Sequence, residues 1–143
     1  MRIAVVPLYE ALPDSSKKLL LDTAAAVAAV LQAQGHIAEI IDFNEKPGAR
    51  LGGFQALFFG FSVPGLMGRI PESIRNKFLA DAGSIAGKRA WVFVMKRLFA
   101  NLRLELDALS FLEKEGAIIR NSFVLSGPGD AKALVERVQV APS

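Results

Sequence analysis

The sequence predicts a three-layer α/β fold: a five-stranded parallel sheet with helices on both faces. Three observations predict it. Apolar runs recur at intervals along the 143 residues. Several of these runs are continuous rather than alternating, as strands covered on both faces are. The segments between them mostly carry apolar residues at helical spacing, with cap or turn residues at their ends. No internal repeat, low-complexity tract or long linker divides the chain, so residues 1–143 are expected to form one domain.

The first strand is expected over Arg2 to Pro7, where Ile3, Ala4, Val5 and Val6 are consecutive. A loop from Leu8 to Asp14 follows. Asp14, Ser15 and Ser16 are good N-cap types, so a helix should start there. Leu20, Ala24, Val27 and Leu31 give that helix its apolar face, and its alanines allow close approach to a sheet. Gly35 stands where a left-handed C-terminal cap belongs. The second strand is expected over Ile37 to Phe43. The polar connection Asn44 to Gly53 has room for only a turn or two of helix.

Phe54 to Ser62 should be the third strand, and Val63 to Ile70 a loop. Pro71 suits the first turn of a helix carrying Ile74 and Phe78 and ending before Gly83. Lys88 to Met95 is the expected fourth strand, centred on Trp91, Val92, Phe93 and Val94. The next helix should run from about Asn101 to Glu115, with Leu102, Leu106 and Leu109 as its apolar face and Gly116 as its stop. Ala117 to Leu125 is the fifth strand. A last helix, capped by Asp130, should carry Leu134 and Val138. Residues 141–143 are a tail.

Composition removes several chemistries. There is no cysteine, hence no disulfide, thiolate nucleophile or thiolate metal site. With one histidine and no cysteine, a zinc site of the usual kind is not expected. Net charge is +3, and the basic pairs Lys17-Lys18, Lys88-Arg89 and Lys96-Arg97 are scattered. A nucleic-acid partner would want them on one face, so none is expected. The apolar stretch Leu51 to Gly68 approaches a membrane span in length but is broken by glycines and Pro64. It fits a buried strand and loop better, so no membrane partner is expected. The N-terminal run is too short for a signal peptide. A cytoplasmic location is expected.

Ligands of such sheets bind beyond the carboxyl ends of the strands. The loops to inspect are therefore Leu8–Ser16, Val63–Ile70 and Lys96–Ala100. Gly60-Phe61-Ser62-Val63-Pro64 falls short of a Gly-x-Ser-x-Gly nucleophile elbow: Pro64 replaces the second glycine, and His36 precedes the serine. His36 lies at a helix end, where a cation is favoured. Glu113 and Glu115 lie two apart on a helix and cannot act as a pair. No catalytic residue and no metal ligand is expected.

The chain resembles the flavodoxin-like family over nearly its whole length. The first strand runs into Tyr9, a loop and a helix start at Ser15-Ser16-Lys17. The third strand leads through Phe58-Phe59-Gly60-Phe61-Ser62-Val63-Pro64-Gly65 to Gly68-Arg69-Ile70-Pro71 and a helix. This is similar to the family's strand, Gly-Ser-Pro-Val-Tyr-Gly-like loop and proline-led helix. Gly87-Lys88-Arg89 opens the fourth strand as the family's Gly-Lys-Lys does, and Leu109 to Ile119 resembles its Leu-x-x-x-Gly-Ala ending.

The resemblance implies strand order 2-1-3-4-5, FMN as cofactor, and electron transfer or a small flavin oxidoreductase activity with a redox partner protein. The FMN-binding residues it implies are Tyr9, Ser15, Ser16 and Lys17 in the first loop and helix start, Ser62, Pro64, Gly65 and Met67 in the second loop, and Lys96, Arg97 and Phe99 in the third. Backbone N–H groups at a helix start suit the phosphate.

Two loops depart from the family. Ala11 and Leu12 bring no hydroxyl, Pro13 has no N–H, and Glu10 and Asp14 bring negative charge beside a dianion. Ser15 and Ser16 read first as helix caps, with phosphate contact as the alternative. Met95-Lys96-Arg97-Leu98-Phe99 stands where glycine or acidic-aromatic residues usually cradle the flavin ring. Leu66, Met67 and Phe99 could wall a planar ring, pack together, or meet a second subunit. Two functions therefore stay open: an FMN electron-transfer protein, or a degenerate flavodoxin-like domain that has lost FMN and serves as a binding or structural subunit. A homodimer through the apolar loops is a hypothesis that goes with the last of these packings.

Overall fold

The structure, a computed structural model, describes residues 1–63, 68–136 and 138. In chain order the elements are β1 (Arg2–Leu8), α1 (Asp14–Ala33), β2 (Ile37–Ile40), β3 (Ala56–Phe61), α2 (Glu72–Asp81), β4 (Arg89–Met95), α3 (Asn101–Lys114), β5 (Ile118–Leu125) and α4 (Pro128–Val135). The five strands form one sheet ordered β2-β1-β3-β4-β5, and every pairing is parallel. This is the expected order. Ile40, Val5, Phe58 and Trp91 form one row across four strands. An irregularity between Ala90 and Trp91 then pairs Trp91 with Asn121.

Successive residues of the central strands point to opposite faces, so each strand feeds two cores. On one face Val6, Leu57, Phe59, Phe61, Val92 and Val94 pack with Ile74 and Phe78 of α2 and Leu104, Ala108 and Phe111 of α3. Phe78 is the hub of that face. Its ring meets Phe43, Phe59 and Phe111 edge-on at 6.2, 5.6 and 5.4 Å. On the other face Ile3, Val5, Phe58, Trp91 and Phe93 pack with Leu20, Ala24, Val27 and Leu31 of α1 and Ala131 and Val135 of α4. Phe58 and Trp91 stack there, centroids 5.1 Å apart and planes 8° apart. Each such aromatic side chain taken from water contributes about 1.5–3 kcal/mol. Gly60 lies among these residues because a Cβ at that position would run into the Phe93 ring.

Several local expectations are corrected. Strand β2 stops at Ile40, short of Phe43, because Asp42 turns the chain. Its Oδ1 accepts the Asn44 N–H at 2.9 Å, and its carbonyl accepts the Lys46 N–H at 2.8 Å. Residues 44–53 form turns and no helix.

The apolar face expected for α3 is the wrong one. Leu104, Ala108, Phe111 and Leu112 are buried, while Leu102 and Leu106 are 66% and 56% exposed. Two leucine stripes share this helix, and the one carrying Phe111 fills more core volume.

Helix α1 starts where expected, but its N-cap is Pro13 and no side chain caps it. Pro71 is likewise the N-cap of α2, one position before its first turn. Asp130 lies inside α4, where its carboxylate accepts the Ser126 N–H at 2.9 Å. Ala131 and Val135 are buried, and Val138 packs beside them.

Gly35 ends α1 as expected, at φ 93°. Its N–H donates to the Gln32 carbonyl at 3.0 Å and the His36 N–H to Leu31 at 3.1 Å, which satisfies two of the carbonyls that the helix end leaves open. The surroundings of His36 disfavour a cation there. The Met1 ammonium donates to its Nδ1 at 3.4 Å. Partial burial, then that positive charge, lowers its pKa from the ordinary imidazole value. No helix among the described residues is long and apolar enough to cross a membrane, and the apolar stretch 51–68 holds β3.

Candidate functional site

The carboxyl ends of β1, β3 and β4 carry the three loops, and the first is tied inward. Tyr9 follows β1 directly and is buried. Its hydroxyl donates to Asp42 Oδ2 at 2.7 Å, and Asp42 is itself buried. Burial, then the bond to Asp42 and its charge, push the Tyr9 pKa up to about 12. Asn44 Nδ2 donates to the Tyr9 carbonyl at 3.3 Å, and Lys77 Nζ of α2 donates to Asn44 Oδ1 at 2.9 Å. The cleft between Leu8, Tyr9, Asn44 and Lys77 holds only about 10 Å³, at the limit for one water. Glu10 accepts a hydrogen bond from the Ser73 hydroxyl in the first turn of α2. Ala11 holds φ 45°, which lets the chain turn into Leu12 and Pro13.

The helix start is more open. The first intrahelical bond is Lys17 N–H to Pro13 carbonyl at 2.9 Å. The N–H groups of Asp14, Ser15 and Ser16 precede it, as the first donors of any helix do. Asp14 and Ser15 are exposed, and Ser16 is half-buried. Lys17 Nζ lies 5.7 Å from the centre of the Tyr9 ring, so these two expected site residues do meet.

In the second loop Ser62 is half-buried, and its N–H points to the Leu8 carbonyl at 3.4 Å. Pro64, Gly65 and Met67, with Leu66, lie outside the described residues. The loop is described again from Gly68, which is buried. The Ile70 N–H donates to Asp107 Oδ2 at 2.8 Å. Arg75 Nη2 reaches both Asp107 oxygens at 2.8 Å. The ion pair thus pins the loop's exit to α3.

The third loop is held at its base. Lys96 N–H donates to the Leu125 carbonyl at 2.8 Å. The Asn101 side chain clasps Arg97, accepting its N–H at 2.7 Å and donating to its carbonyl at 2.8 Å. Beyond this clasp Leu98 and Phe99 are 87% and 57% exposed, and Lys96 is exposed. Ala100 then takes φ 62° and starts α3. Lys96 charge helps lower the Asp130 pKa, after the hydrogen bonds from Ser126.

Sequence reasoning missed Asp42, Asn44, Ser73 and Lys77, which hold the first loop, and the Arg75–Asp107 pair, which holds the second. One signal was present: Asp42 is an acid embedded between Ile41 and Phe43, and a buried acid needs a partner.

No family model matches the sequence, and no curated protein matches it. Solved structures do. A flavodoxin from the domain Archaea aligns with TM-score 0.67 and 15% identity over 95% of this chain and 94% of that chain. Oxidised flavodoxin 1 from Bacillus cereus aligns with TM-score 0.64 and 16% identity over 95% and 93%. Two-electron reduced Megasphaera elsdenii flavodoxin aligns with TM-score 0.67 and 16% identity over 94% and 96%. The chain has the flavodoxin-like fold.

Proposed function

We propose that this chain is a flavodoxin-like binding module that carries no FMN. The observation behind this reading is the state of the first loop, where Tyr9 and Glu10 are bonded to Asp42 and Ser73. The residues there do not fit a phosphate dianion. Glu10 and Asp14 bring like charge, Pro13 brings no N–H, and Ala11 and Leu12 bring no hydroxyl. Ser15, Ser16 and Lys17 are left to favour an anion. What the strand ends offer instead is an exposed surface at Lys96, Leu98 and Phe99. Large exposed apolar side chains with a polar rim suit a protein partner. The reading keeps the cytoplasmic location expected from the sequence.

A second reading, FMN-dependent electron transfer with a redox partner protein, draws on the fold and on the free donors at the start of α1. FMN would supply the redox chemistry if bound. Titrating FMN and following its fluorescence separates the two. No quenching up to ~100 μM, an affinity of only about −5.5 kcal/mol, is the expected result. Sub-micromolar binding with a yellow holoprotein would overturn the proposal and restore the redox reading.

A further inference from the structure

Helices α2 and α3 and the exit of the second loop border a groove of about 640 Å³, a size usual for a small-molecule site. Three arginines and two acids supply its charges. Arg103 and Asp107 lie one turn apart on α3, where an ion pair would be ordinary. Asp107 is already taken. It accepts the Ile70 N–H, and both its oxygens receive Arg75 Nη2, each at 2.8 Å. The Phe111 ring holds Arg75 further, its centre 5.3 Å from the guanidinium carbon. This pair cancels its own charge. Arg69 and Arg103 are exposed, and among the described residues neither has an ion pair or a hydrogen bond. Glu72, the remaining acid, balances only one of them. The apolar part of the groove is Ile70, which is buried, and Leu106, which is exposed.

We propose that this groove binds a small organic anion, a carboxylate or phosphate carried on an apolar body. Arg69 and Arg103 take the oxyanion, one from the loop before α2 and the other from α3. A guanidinium fork matches either anion through paired N–H bonds. The bound anion supplies the negative charge that Asp107, committed to Arg75 and Ile70, does not give to Arg103. Ile70 and Leu106 receive the apolar body, which takes Leu106 out of water. A cation is disfavoured because the arginines outnumber the acids. The proposal concerns the face between α2 and α3. It uses no residue of the first loop or of the start of α1, and it holds whether or not FMN binds.

Phenyl phosphate and benzoate are the probes, each titrated into the full chain at low salt and followed by amide NMR. At least one should bind with a Kd below about 1 mM and shift the amides of Ile70, Arg103 and Leu106. The tighter of the two identifies the ligand as a phosphate or a carboxylate. Arg69→Ala and Arg103→Ala should each weaken binding at least about fivefold. Both side chains are exposed, so the melting temperature should stay that of the wild type. Glu72→Gln removes a like charge and should tighten binding about two- to threefold. Saturation by neither probe at ~10 mM would overturn the proposal. So would an affinity indifferent to both arginine changes. Shifts centred on Ser15 to Lys17 would place the anion at the start of α1 and overturn it as well. Inorganic phosphate binding as tightly as the better probe would overturn the apolar half, leaving only a charged surface.

Discussion

Gly68 and Ala100 lie against each other in two different loops, and both hold left-handed backbone, at φ 64° and 62°. A Cβ on Gly68 would lie 2.7 Å from the Ala100 carbonyl oxygen and 2.8 Å from its Cβ. The second and third strand-end loops are thus locked at one contact. Gly68→Ala should cost about 2–4 kcal/mol, combining left-handed strain with overpacking. Ala100→Gly should instead stabilise by about 0.5 kcal/mol, since relief of strain outweighs the entropy added to the unfolded chain. Urea unfolding midpoints of the two variants should move in opposite directions.

Gly60 and Phe93 make a second close fit, inside the sheet. Gly60→Ala should destabilise by about 1–3 kcal/mol. Combining it with Phe93→Leu should give a loss smaller than the sum of the two single losses, with a coupling of at least about 0.5 kcal/mol. Strict additivity in a double-mutant cycle would show that the ring and the glycine are independent.

Tyr9 is the sole tyrosine, so its ionisation can be followed by near-ultraviolet absorbance without ambiguity. Its pKa is raised from 10.0 to about 12, so the folded state holds the phenol proton more tightly. The stabilisation is complete below pH 10 and is lost as pH rises towards 12. Melting temperature should fall across that window, and Tyr9→Phe should flatten this part of the profile. At neutral pH the same change leaves the Asp42 carboxylate one donor short, at a cost of about 1–3 kcal/mol.

His36, the sole histidine, has its pKa lowered. Its contribution to stability is present above the unfolded value of 6.5 and is lost as pH falls through the lower folded value. Proton NMR of the ring should titrate below 6.5, and acetylating the Met1 amine should move the midpoint upward. A midpoint indifferent to acetylation would remove the ammonium as a cause.

The Arg75–Asp107 pair is partly shielded from solvent, with its side chains 28% and 25% exposed. Asp107→Asn removes the charge that Arg75 grips and weakens the acceptor for Ile70. The expected loss is about 1.5–3 kcal/mol, read from chemical denaturation. Because the pair anchors the exit of the second loop, amide exchange at Ile70 should quicken as well.

The parts of this architecture that were legible are those where one pattern admits one placement. The unbroken runs at Ile3–Val6 and Trp91–Val94 have no polar side to expose, so they had to be central strands. Leu20, Ala24, Val27 and Leu31 offered a single stripe on α1. Helix α3 offered two stripes, and periodicity does not say which one meets the sheet. The choice rests on Phe111, whose ring closes against Phe78 from a different helix. The tethers of the first loop were illegible for a similar reason. Asp42 lies 33 residues from Tyr9, and only the parallel pairing of β1 with β2 brings them together.

Trp91 is the sole tryptophan, and it lies buried on β4, stacked on Phe58 of β3. Its emission is therefore a gauge of whether the middle of the sheet is intact. The strand-end loops and the outer side of α3 are remote from it in the layered order of the fold. Intrinsic fluorescence should follow denaturation faithfully, while association at the periphery needs a label placed there.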